Sequence, residues 1–132
     1  MMRYLFFLVV LAFAFNSNAD DFEISFDWSD LELCTTGNPN IVSNPYFELT
    51  NVPNGTKWIE FKLTDLDVPS YNHGGGWMEY KGQNTIEPGI FKYKSPCPPN
   101  GKHNYQWTAF AKEKKGAFGK TISKASASKF YP

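Results

Sequence analysis

Side chains able to do chemistry gather in two stretches of the sequence. The first, Leu63-Thr64-Asp65-Leu66-Asp67-Val68-Pro69, carries two carboxylates where a strand is expected to run out into a loop, and loops at strand ends are where sites usually sit. The second, Ser95-Pro96-Cys97-Pro98-Pro99-Asn100-Gly101-Lys102-His103-Asn104-Tyr105-Gln106-Trp107, is a proline-stiffened loop that feeds His103 and Tyr105 into a strand. Two residues apart on an extended chain, their side chains face the same way. An imidazole and a phenol so placed can hydrogen-bond an oxyanion, while nearby carboxylates can take a proton or a hard cation. Nucleophilic catalysis is not indicated, because no Gly-x-Ser-x-Gly elbow is present. Zinc is not indicated either, since two cysteines and the scattered His73 and His103 lack a compact ligand spacing. No cofactor is called for.

The elements that must position these residues are short strands. Aromatic and β-branched residues are abundant, and 10 Gly and 9 Pro interrupt almost any candidate helix. Phe22, Ile24, Phe26 and Trp28 alternate with Glu23, Ser25 and Asp27, the two-residue period of a strand with one apolar face. Trp58–Leu63 repeats the pattern after the turn signal Pro53-Asn54-Gly55, with Ile59, Phe61 and Leu63 on one face. Tyr105–Ala111 is a third candidate. The expected fold class is mainly β, an antiparallel β-sandwich with at most a short C-terminal helix near Lys120–Ser128. Trp28, Trp58 and Trp107 are read as core or sheet-surface aromatics, and Asn54-Gly55-Thr56 as a turn rather than a glycosylation acceptor. His73, beside Gly74-Gly75-Gly76, and the cluster Lys112, Lys114 and Lys115 are read as solvated loop residues.

Residues 1–19 read as a cleavable signal peptide: Arg3, an apolar run from Tyr4 to Phe15, then Ser17-Asn18-Ala19 as the cleavage site. The run is shorter than the roughly 20 residues of a spanning helix, so no transmembrane segment is expected once the signal is removed. One domain over residues 20–132 is expected, secreted or periplasmic. From Asp20 onward the chain holds 12 Lys against 13 Asp and Glu, and this balance does not favour nucleic acid as a partner. Cys34 and Cys97 allow only one intramolecular pairing, and an oxidising compartment favours it. Closing so long a loop should contribute about 3 to 4.5 kcal/mol.

Taken together the motifs resemble the phosphatidylethanolamine-binding protein family, in particular its bacterial branch of Raf-kinase-inhibitor-like proteins. Cys34, Gly37 and Asn38 precede Asn44-Pro45; Val52-Pro53-Asn54-Gly55-Thr56 precedes a strand; Asp65-Leu66-Asp67-Val68-Pro69 follows it; and Cys97-Pro98-Pro99 leads to His103-Asn104-Tyr105. The resemblance spans about Cys34 to Ala111, with Ile122–Tyr131 weakly similar to the family's closing helix. It implies a β-sandwich with a small surface pocket for a phosphate-type anion such as a phosphoethanolamine headgroup, lined by Asp65, Asp67, Trp77, Pro99, His103 and Tyr105. Glu79 stands where the family has a histidine after the tryptophan, so a carboxylate is expected in the pocket.

The expected function is therefore that of an exported, non-enzymatic binding protein for a small anionic ligand or lipid headgroup, with a protein partner that it modulates. Two alternatives are an interaction domain whose pocket has decayed, and a cation-binding variant or weak hydrolase using Asp65, Asp67, Glu79 and His103.

Overall fold

The computed structural model describes residues 21–28 and 30–132; the expected signal peptide, residues 1–19, lies outside the described residues. Nine strands follow one another: β1 Glu23–Asp27, β2 Ile41–Ser43, β3 Tyr46–Thr50, β4 Trp58–Asp65, β5 Gly75–Glu79, β6 Thr85–Ile86, β7 Lys92–Lys94, β8 His103–Lys112 and β9 Thr121–Tyr131. They form a three-stranded sheet β1-β3-β6, a ribbon β2-β7 and a four-stranded sheet β5-β4-β8-β9. Every pairing is antiparallel. The fold is mainly β, with no helix among the described residues.

Alternation dictates the layering. Phe22, Ile24 and Phe26 turn inward beside Phe47 and Leu49, with Phe26 opposite Phe47 and Ile24 opposite Leu49. From the other layer, Ile59, Phe61 and Leu63 of β4 and Tyr105, Trp107, Ala109 and Ala111 of β8 meet them. The seam is aromatic: Phe47 lies 4.7 Å from Phe61 and 5.3 Å edge-on to Trp107, ring centroid to centroid. Each such fully buried side chain contributes about 1.5–3 kcal/mol by leaving water. The same period puts Asp65, the last residue of β4, on the inward face, where a carboxylate must find partners.

The C-terminal stretch is a strand throughout and not a helix. Residues 113–120 turn the chain back on itself, with Gly116 at φ +101° and Gly119 packed so closely that a Cβ would stand 2.1 Å from the Lys114 carbonyl oxygen. β9 is thereby delivered antiparallel to β8, and its inward residues Ala125 and Ala127 are small enough to lie against Ala109 and Trp107. Pairing along β8 overrides a weak local preference.

Asn44 is a buried organiser of the loops. Its Oδ1 accepts the backbone N–H groups of Gly89, Ile90 and Phe91 at 3.1, 2.8 and 3.1 Å, and its Nδ2 donates to the carbonyls of Pro45 and Glu87. One amide so replaces the ladder that this irregular segment lacks.

A candidate ligand pocket at the ends of two central strands

β4 ends and β8 begins at the same edge of the four-stranded sheet, with Asp65 registered opposite Tyr105. Asp65 Oδ1 accepts the N–H groups of Asp67 and Val68 at 2.9 and 3.2 Å, turning the loop back on itself. Its Oδ2 lies 2.6 Å from His103 Nδ1. Asp67 points elsewhere: its Oδ2 accepts the Asn104 N–H at 2.7 Å, which ties the loop to β8, and its side chain does not line the cavity. The Leu66 N–H completes that tie by donating to the Asn104 carbonyl at 2.8 Å.

A cavity of about 160 Å³ opens here, lined by Asp65, His103, Tyr105, His73, Tyr71 and the Cys97-Pro98-Pro99 loop among others. Cys97 is bonded to Cys34, and its carbonyl accepts the Gly37 N–H at 3.1 Å, so the disulfide holds the Gly37 wall against the proline wall. Gly37 passes close to Pro99, where a Cβ would come to 3.5 Å.

Asp65, Pro99, His103 and Tyr105 are thus brought together, whereas Trp77 and Glu79 are not. Trp77 pairs with Glu60 and Glu79 with Trp58, five and seven residues back along β4 from Asp65. At about 3.3 Å per residue those steps are roughly 17 and 23 Å. Glu79 sits exposed beside Lys81, and Trp77 lies on the outward face under the Lys112 ammonium, 5.2 Å from its ring centre. The expected carboxylate is therefore no part of the pocket.

An imidazole takes that place instead. His73 is buried, not solvated: its Nδ1 meets the Lys94 carbonyl at 2.8 Å, and its ring stands 5.5 Å edge-on to Tyr105. A ring nitrogen facing a carbonyl carries the proton, so Nε2 is left with a lone pair. Burial pushes the His73 pKa below its ordinary 6.5, against the opposing pull of the Lys94 carbonyl and the Asp65 charge. Sequence reasoning missed it because three following glycines suggest a flexible tip; only the reach across to β7 buries the ring.

Tyr105 is the pocket's buried phenol. Burial first, and the Asp65 charge second, hold its pKa well above the ordinary phenol value, so it stays a neutral hydroxyl between Asp65 and the Cys97 backbone. His103 lies face to face with it at 6.2 Å and directs Nδ1 to Asp65, leaving Nε2 for a ligand. Two imidazole rings and one hydroxyl therefore line a small, partly apolar space, where a protonated oxyanion can donate to the open Nε2 lone pair of His73.

A hard-cation reading keeps one geometric basis: one ligand atom from each of Asp65, Asp67 and His103 lies within 4.8 Å of the others. Asp65 Oδ1 and Asp67 Oδ2, however, already accept backbone N–H groups.

No protein-family model and no curated protein sequence matches the chain. Solved structures do. A phosphatidylethanolamine-binding protein homologue from Chlamydia trachomatis, CT736, superposes with a TM-score of 0.58 at 16% identity, over 85% of this chain and 97% of its own. YbcL of Escherichia coli, described as a member of the mammalian phosphatidylethanolamine-binding protein family, superposes with a TM-score of 0.61 at 15% identity, over 85% and 98%. Nearly the whole of each of these chains is covered, and the chain has the phosphatidylethanolamine-binding protein fold.

Proposed function

We propose that this chain is an exported, non-enzymatic binding protein whose pocket takes a phosphate-type group, free or as a phosphoethanolamine headgroup. The observation that carries the reading is the convergence of His73, His103 and Tyr105 on one cavity of about 160 Å³, the size of a headgroup rather than of a whole lipid. Export is supported by the disulfide, which persists in oxidising compartments. With Glu79 far from the pocket, Asp65 is the one carboxylate in its lining, and its Oδ2 is occupied by His103 Nδ1 at 2.6 Å. Because His73 offers a lone pair, a phosphate seated there brings a proton with it, and affinity rises as pH is lowered from 8 toward 6.

The test is an amide-shift NMR titration of the chain from Asp20 onward with phosphoethanolamine, inorganic phosphate and calcium in separate series. Shifts at His73, Asn100, His103 and Tyr105 with either phosphate compound, lost in His103→Gln, are expected. Shifts with calcium alone would replace this reading by the cation one, and silence in all three would leave no role for the pocket.

A further inference from the structure

Twelve lysines follow residue 19, and half of them collect at one end of the four-stranded sheet. Lys57 joins the end of β8 through its N–H to the Lys112 carbonyl, Tyr80 joins Lys57 in turn, and Lys81 follows it. The β8-β9 hairpin adds Lys112, Lys114, Lys115 and Lys120. Glu79 and Glu113 are the acids of this region, which leaves a net of four positive charges on a chain that is otherwise acidic. Asp21 and Glu23 reach the same end, but on the opposite layer.

Two of these lysines are held by tryptophans and are not loosely solvated. Lys115 Nζ lies 4.9 Å above the Trp58 ring and Lys112 Nζ 5.2 Å above that of Trp77. At the hairpin tip Phe118 is wholly exposed, at 104% of its reference surface, beside exposed Lys114, Lys115 and Lys120. Leaving a phenylalanine ring in water forgoes the burial that most such rings obtain. A tip that pairs one free apolar ring with a lysine collar and two half-buried interfacial tryptophans matches an anionic bilayer: phosphates meet the ammonium groups and the ring enters the headgroup boundary.

We infer that the β8-β9 hairpin, residues 112–121, docks the protein on anionic lipid bilayers through Phe118 and its surrounding lysines. This surface is independent of the pocket. β8 runs from His103 at the pocket to Lys112 at the hairpin, ten residues or about 30 Å.

The experiment is vesicle co-sedimentation of the chain from Asp20 onward, which contains the strands, disulfide and core found among the described residues. Vesicles of three parts phosphatidylcholine to one part phosphatidylserine are compared with pure phosphatidylcholine and with a phosphatidylcholine and phosphatidylethanolamine mixture. Sedimentation with the serine lipid alone is expected, falling steeply with added salt. Lys114→Gln with Lys120→Gln should weaken it about thirtyfold, each lysine near an anionic surface being worth close to fivefold. Phe118→Ser should weaken it by about tenfold, close to the share of a single buried ring. His103→Gln should leave it unchanged, which separates this result from the fate of the pocket reading. All four substituted residues lie outside the core, and far-UV circular dichroism checks that each variant keeps its sheet. Equal binding to all three vesicle types, no binding to any, indifference to the hairpin substitutions, or binding only to heparin or a DNA duplex would each overturn the inference.

Discussion

Replacing both Cys34 and Cys97 by alanine should cost about 4 kcal/mol. The two residues stand 63 positions apart and enclose most of the described chain. In the chain-entropy treatment, closing a loop of that length removes about 14 cal/mol/K from the unfolded ensemble, or roughly 4 kcal/mol at room temperature. The native state should change little. Tyr131 still donates its hydroxyl proton to the Glu32 carbonyl and accepts the Cys34 N–H at 2.7 Å, so the segment stays docked without the covalent bond. Urea unfolding followed by tryptophan fluorescence measures the loss. With a slope of about 1.5 kcal/mol/M for a domain of this size, the midpoint should fall by nearly 3 M. Because a small domain holds only about 5–15 kcal/mol in all, the variant should also be a marginal protein at body temperature. A fall of less than about 1 M would refute the argument, because the bond would then constrain the unfolded chain far less than its loop length predicts. A mass two hydrogens below the reduced chain checks that the bond is present.

Asn44→Ala should destabilise by about 3 kcal/mol in the same assay, since three backbone N–H groups lose their common acceptor. Asn44→Asp keeps the acceptor and should stabilise Gly89–Phe91 exchange protection relative to Ala; equal protection in both would remove Asn44 from its organising role. His73 is held neutral by burial, so its folded pKa lies below the unfolded value of 6.5. The unfolded chain then binds more protons below that value, and stability is flat above about pH 6.5 and falls as pH drops beneath it. His73→Gln should flatten the slope between about pH 6.5 and 5; an unchanged slope would mean that another group carries it.

Much of the frame was legible from local pattern. Phe22, Ile24 and Phe26, and again Ile59, Phe61 and Leu63, announce their buried faces because a strand's side chains alternate whatever it pairs with. Cys34 and Cys97 could pair only with each other. Asp65, His103 and Tyr105 were recognisable because loops at strand ends collect polar chemistry, Pro99 entered only through the family resemblance, and all four line the cavity.

Distance in the chain hid the rest. Whether Ile122–Tyr131 is a helix or a strand is settled by the free edge of β8 that it meets, not by its own weak preference. His73 and Glu79 exchanged their expected places: a ring that looks solvated among glycines is buried by the Lys94 carbonyl, and a carboxylate expected in the pocket pairs instead with the start of β4. The lysines of the hairpin read as plain solvated charge until folding sets Trp58 and Trp77 beneath them. Periodicity is written by neighbours along the chain, so the sequence alone determined which faces are apolar. Register, burial of a lone polar group and the company that charges keep depend on residues 9 to 57 positions away, and only the tertiary structure decided those.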